Sequence, residues 1–106
     1  MSGGFLAFRC SGKRWAVPVE EVREAARVPA LTPLPGAPPG CAGVALVRGN
    51  PMAVLRVDAD SASAGRLVLV LENRPYALLV DAVDGVEATT DAALLPLDSL
   101  LAPEVR

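Results

Sequence analysis

The chain contains no histidine and a single lysine, Lys13. Without histidine it lacks the side chain that most often acts as general base or metal ligand near neutral pH. Aromatic residues are almost as scarce: Phe5, Phe8, Trp15 and Tyr76 are the whole set. Any core must therefore be assembled from small apolar residues, mostly Val, Leu and Ala. Charge of one sign never accumulates in a block, and the formal net charge is -2 over 106 residues. That excludes the basic patch needed to hold nucleic acid or an anionic membrane surface. No run reaches the roughly 18 apolar residues of a spanning helix, so insertion into a membrane is not expected. "MSGGFLAF" has no basic stretch ahead of a long apolar one, so no signal peptide is expected, and the protein reads as cytoplasmic.

The chemistry of sites is thin as well. Two cysteines, Cys10 and Cys41, cannot complete a four-ligand zinc site without histidine. They read as two buried or half-buried thiols of a reducing compartment. There is no glycine-rich phosphate loop and no pairing of nucleophile with base. Asp58, Asp60, Asp81 and Asp84 could be grouped as a cation site, but Asp58-x-Asp60 lacks the glycine and closing glutamate of a calcium loop. They read as solvated turn acids. Catalytic residues, metal ions and cofactors are not expected, and a small ligand-binding barrel is the weakest of the functional readings.

What the chain does have is apolar surface: 52% of its residues are hydrophobic, enough for the core of one domain spanning 1–106. The pattern is all-β. "FLAFRCSGKRWAVPV" (5–19) reads as a hairpin turning at Ser11-Gly12-Lys13. Pro18 and Pro29 box in the next stretch, which reads as a single turn and then a short strand from Arg23 to Val28. "PALTPLPGAPPG" (29–40) holds five prolines and two glycines. It reads as an ordered loop laid across a sheet rather than a linker. "GVALVRG" (43–49) and "MAVLRVD" (52–58) are strands joined at Asn50-Pro51. "DADSASAG" (58–65) is a connector. Residues 66–83 form a second hairpin with its turn at Glu72-Asn73-Arg74-Pro75, and 93–101 a last strand with a short helical turn. Trp15 and Tyr76 read as core residues. Arg9, Lys13 and Arg14 read as solvated charges around the first turn.

An internal repeat organises these pieces. "KRWAVPVEEVREA" (13–25) aligns with "RPYALLVDAVDGV" (74–86) at an offset of 61, placing Trp15 on Tyr76, Ala16 on Ala77 and Val22 on Val83. "AVLRVD" (53–58) then aligns with "ALLPLD" (93–98), but at an offset of 40. The chain thus divides into a first β unit, roughly 5–58, and a shortened second unit, roughly 66–101. The Pro-rich loop and the "AGVALVRG" strand have no counterpart in the second. An incomplete unit leaves strand edges or apolar surface that something must cover.

One charge demands explanation. "CAGVALVRGNPMAVL" (41–55) is an apolar run with one charge, Arg48, in its middle, and a buried unpartnered cation is prohibitive. Either Arg48 lies at a turn or it has an assigned partner.

The order of these segments resembles the CheW-like coupling proteins of bacterial chemosensory systems over about residues 5–98. The matching features are the aromatic-Ala-Val-Pro strand at Trp15, Val22-x-Glu24, Leu34-Pro35-x-x-Pro38, Gly43-Val44, Arg48-Gly49 and Val80-Asp81-x-Val83-x-Gly85-Val86. The resemblance implies two small Src-homology-3-like barrels with a pseudo-twofold relation, the second shortened, and no catalysis. It implies a scaffold joining the cytoplasmic tips of chemoreceptors to the regulatory domain of a CheA-type histidine kinase, or to another CheW-like protein. It places the receptor groove between the barrels and Val22, Glu24, Gly43, Val44, Arg48 and Gly49 at that site, with Arg48 paired to Glu24. The chain departs from the family pattern in having Ala53 where a proline is usual, Arg56 where an aspartate is usual, and a segment missing after Val86. That omission implies a coupler that keeps its receptor contact and loses or weakens its kinase contact. A fully competent coupler is the alternative. The short couplers of Frz-type systems are the nearest specific match.

Overall fold

The computed structural model describes residues 4–37, 40–57 and 65–97. Nine strands occupy this part of the chain: β1 (Phe5–Cys10), β2 (Lys13–Pro18), β3 (Val22–Arg27), β4 (Cys41–Val47), β5 (Asn50–Arg56), β6 (Leu67–Leu71), β7 (Tyr76–Val80), β8 (Ala82–Glu87) and β9 (Ala93–Leu94). A 3-10 turn at Val19–Glu21 separates β2 from β3, as the flanking prolines imply. The strands make two sheets, a four-stranded one ordered β8-β1-β2-β9 and a five-stranded one ordered β3-β6-β7-β5-β4. This is the all-β architecture of two small barrels, one shorter than the other. The connector at 58–64 and the helical turn expected after Leu97 lie outside the described residues.

The repeat is visible rung by rung. Ala7 faces Ala16 in the first hairpin, and Val70 faces Ala77 in the second. Ala16 then lies beside Leu94 on the parallel strand β9, while Ala77 lies beside Val54 on the parallel strand β5. On the other flank Ala7 meets Gly85 of β8, and Val70 meets Glu24 of β3. Even the bulges coincide, since register shifts at Arg23 in β3 and at Asp84 in β8. The third strand of each repeat leaves its own hairpin and joins the other: β3 pairs with β6, and β8 with β1. The last strands of the shortened repeat therefore complete the sheet of the first hairpin. The strand β8 was not legible as such in the sequence, where 82–87 reads only as an acidic-apolar turn. It forms because β1 needs a second neighbour, and β8 alternates half-buried with exposed positions along its length.

Two apolar clusters result. The first is shared by both sheets and draws on equivalent positions of both repeats: Phe8 and Leu71, Val17 and Leu78, Leu55 and Leu95, Val57 and Leu97, with Tyr76 buried and Trp15 packed against its rim. The Tyr76 hydroxyl donates to the Leu97 carbonyl at 3.2 Å, which satisfies its polar end. The second cluster belongs to the five-stranded sheet and forms around β4, from Val28, Ala42, Ala45, Val47, Val54, Val68, Val70, Ala77 and Leu79. Both cysteines are thiols, Cys10 buried and Cys41 half-buried.

Two expectations change. The β4–β5 turn is Arg48-Gly49, not Asn50-Pro51: Val47 faces Asn50, so both Asn50 and Pro51 already belong to β5. A type I′ two-residue hairpin turn needs positive φ at both central positions, and Arg48 (φ 52) and Gly49 (φ 83) supply it. Proline cannot adopt that φ. Arg9 and Arg14 are not merely solvated. Arg14 donates to Asp84 at 2.9 Å, to Asp91 at 3.1 Å and to Glu87, and Arg9 donates to Asp84 at 3.1 Å. Lys13 does stay exposed, its ammonium 4.2 Å from the Trp15 ring centroid.

Candidate functional site

Arg48 is held at the tip of the β4–β5 hairpin and has a partner, so both resolutions of its placement apply. Its Nε donates to Glu24 Oε2 at 2.7 Å and its Nη2 to Oε1 at 2.6 Å, a two-pronged fork. Glu24 stands on β3 and Arg48 follows β4, the two edges of the five-stranded sheet. The pair therefore links the edges of one barrel. The Arg48 side chain is 75% exposed and that of Glu24 only 20%. A cation this exposed carries little desolvation cost. The hydrogen bonds from Arg48 hold the Glu24 carboxyl below its ordinary value, against a smaller opposing effect of burial. The same bonds raise the Arg48 guanidinium further. Both groups are charged throughout the neutral range.

The other expected site residues do different work. Val22 is two residues from Glu24 but across the bulge, and it packs against the shared cluster. Gly43 and Val44 sit toward the opposite end of β4 from Arg48. Val44 exchanges two backbone hydrogen bonds with Thr32, N to O at 2.8 Å and O to N at 2.9 Å. The Pro-rich loop is thus laid along the outer edge of β4, as its composition implies. Gly43 is what permits it: its φ is +145°, and a Cβ there would collide with the Thr32 carbonyl. Of the six expected residues, the structure brings Glu24 and Arg48 together with Gly49 beside Arg48 in the turn, places Gly43 and Val44 within β4 against the Pro-rich loop, and packs Val22 against the shared cluster.

Sequence reasoning missed a groove beside Val44. Pro29, Ala30, Thr32, Leu34, Ala45 and Leu46 join Val44 around a volume of about 450 Å³. Leu34 and Leu46 are both largely exposed there. A signal existed: alternation along "VALV" puts Leu46 outside if Ala45 and Val47 are inside. A smaller cleft of about 170 Å³ is lined by Pro18, Glu21, Arg74, Leu95 and Leu97. Arg74 and Glu21 approach to 3.7 Å there. Asp81 and Asp84 do not converge on a cation site. Asp81 accepts the Ser11 amide at 2.8 Å and Asp84 faces the two arginines. Asp58 and Asp60 lie outside the described residues. Among the described residues no helix is long and apolar enough to cross a membrane.

Comparison with known proteins agrees with this architecture. No curated protein matches the chain in sequence. Among solved structures, the scaffolding protein TtCheW from Thermoanaerobacter tengcongensis has the same fold, with a TM-score of 0.71 at 17% identity, over 86% of this chain and 68% of that one. The family model described as the CheW-like domain matches residues 4–105. With a match running almost end to end, the chain belongs to the CheW-like domain family.

Proposed function

We propose that this protein is a non-catalytic scaffold of a bacterial chemosensory array, acting in the cytoplasm. Its five-stranded barrel binds the cytoplasmic tip of a chemoreceptor through Glu24, Arg48 and Gly49, with Gly43 and Val44 farther along β4 and Val22 supporting β3 from within. The observation that carries the reading is the CheW-like domain over 4–105. Its contact with the regulatory domain of a CheA-type kinase is weakened or lost. What supports this is the strand by which the four-stranded sheet falls short of the five-stranded one. Such a protein occupies receptor sites without extending the lattice.

A second reading has an observation of its own. Arg14 is tied to Asp84, Glu87 and Asp91 on the shortened sheet, so charged side chains of that sheet are held in an ordered network. An ordered charged surface suits a fully competent coupler that still docks on kinase or on another CheW-like protein. Calorimetric titration with a receptor cytoplasmic fragment and, separately, with the kinase regulatory domain decides. Receptor binding alone is expected, and Arg48→Ala or Glu24→Ala should weaken it by about tenfold with the melting temperature little changed. Binding to both partners establishes the competent coupler. Failure to bind the receptor overturns both.

A further inference from the structure

Position 54 of the first repeat and position 94 of the second occupy the same rung beside the paired alanines Ala77 and Ala16. Val54 is fully buried (0% exposed) and Leu94 is 60% exposed. The difference among the described residues is a strand on the outer edge, present for β5 and absent for β9. β4 lies antiparallel to β5, with Gly43 opposite Val54; among the described residues no strand pairs with the edge of β9 that faces away from β2. We propose that the outer edge of β9 is a strand-acceptor site for a partner protein, taking an extended apolar segment that carries a basic residue, laid against β9 as β4 lies against β5.

The chemistry of the occupant follows from what borders the edge. The Leu95 amide donates inward to the Ala16 carbonyl at 3.0 Å, so the amide and carbonyl of Leu94 point outward and can pair with an incoming strand. Pro96 has no amide to offer, which confines the site to the stretch before it. The exposed Leu94 side chain calls for small apolar residues, as Ala45 and Val47 of β4 supply around Val54. The charge is set by the network beside it. Three carboxylates, Asp84, Glu87 and Asp91, face two arginines, Arg9 and Arg14. One carboxylate is in excess, and Asp91 is 95% exposed two residues before β9. A lysine or arginine on the incoming segment meets it. This site is separate from the Glu24–Arg48 link and does not rest on the receptor reading.

The test uses the full chain and a probe taken from its own template: a fluorescent peptide of residues 40–49 with Cys41→Ser, titrated by anisotropy at low salt. Weak but saturable binding is expected. Leu94→Asp should lower the affinity about tenfold, whereas Leu34→Asp, on the loop of the other sheet, should leave it unchanged. A peptide with Arg48→Glu should bind about threefold more weakly, the difference shrinking as salt is raised. Leu94 is exposed, so its variant should keep the wild-type melting temperature. No saturation up to about 1 mM, or equal binding by Leu94→Asp, overturns the proposal. A reversible dimer in sedimentation that Leu94→Asp abolishes also overturns it, by giving the edge to a second copy.

Discussion

Glu24, Val70, Ala77, Val54 and Gly43 form one rung across the five-stranded sheet; Gly85, Ala7, Ala16 and Leu94 form the equivalent rung across the four-stranded one. The two differ in more than their count. In the longer rung the face is apolar and closed by β4, and the glutamate at its end is fixed by Arg48. In the shorter rung Val70 has become Ala7, the glutamate has become a glycine, and no strand follows Leu94 among the described residues. Ala7 and Ala16 are nonetheless fully buried, on the face of β1 and β2 that carries Arg9 and Arg14. Where one sheet lines that face with a closed apolar cluster, the other carries small residues and ion pairs on the same face. The charges themselves record the duplication. Arg9 with Asp84 in one sheet corresponds to Glu72 with Arg23 in the other, the same link with its signs exchanged. A barrel can lose a strand and stay closed to water on its face if the exposed core positions shrink and charged side chains lie over them.

The comparison breaks most readily at Gly43, the residue that lets the Pro-rich loop pin β4. Gly43→Ala combines a strained positive φ with a clash against the Thr32 backbone and should cost about 2–4 kcal/mol in urea unfolding. Loss of the loop's protection in hydrogen exchange should accompany it. A cost under about 0.5 kcal/mol would mean that β4 does not depend on the loop. The equivalent positions of the two rungs provide the next test. Val54→Ala should destabilise by about 1.5–3 kcal/mol, because it opens a cavity in the closed core. Leu94→Ala should stay within about 0.5 kcal/mol. Equal effects would erase the distinction between the sheets.

Acid sharpens the comparison with the smallest effect. Asp84 is held below its ordinary value of 3.8 by hydrogen bonds from Arg14 and then Arg9, and Glu24 below its ordinary 4.5 by Arg48. A carboxyl depressed in the folded state stabilises it fully above its unfolded value and progressively less as pH falls toward its folded value. The melting temperature should therefore hold at neutral pH and decline below about pH 4.5. Arg14→Gln should lower it by several degrees at neutral pH and flatten that decline, while raised salt narrows the gap to wild type. Parallel acid curves for the two proteins would show that the network contributes nothing to folding.

Much of this was legible in the chain. The offsets of 61 and 40 are the strand equivalences of the two sheets, since Trp15 and Tyr76 lie beside Ala93 and Ala53 on parallel neighbours. The strand without a counterpart is β4, as the broken alignment requires. Hairpin one, the turn at 72–75 and the loop over β4 also follow from local chemistry. The β4–β5 turn was misplaced because Asn-Pro is a strong turn signal in isolation. Here the pairing of Val47 with Asn50 outweighs it, and Pro51 sits on the strand opposite Leu46 without loss of a bond. The Arg14 network was invisible because its members are some 70 residues apart, and no local pattern marks them.

The sequence by itself determined the class of structure and the pairing of its two repeats. These depend on composition, turn residues and alternation, which act over a few residues and repeat. It also determined that Arg48 needs a turn or a partner. Only the tertiary structure decided that Arg48 has both, that the third strand of each repeat crosses into the other sheet, and that Arg9 and Arg14 meet three distant carboxylates on the shortened sheet. Those outcomes depend on which distant segments meet, and edge closure and ion pairing are settled only once the two hairpins are packed on their shared core.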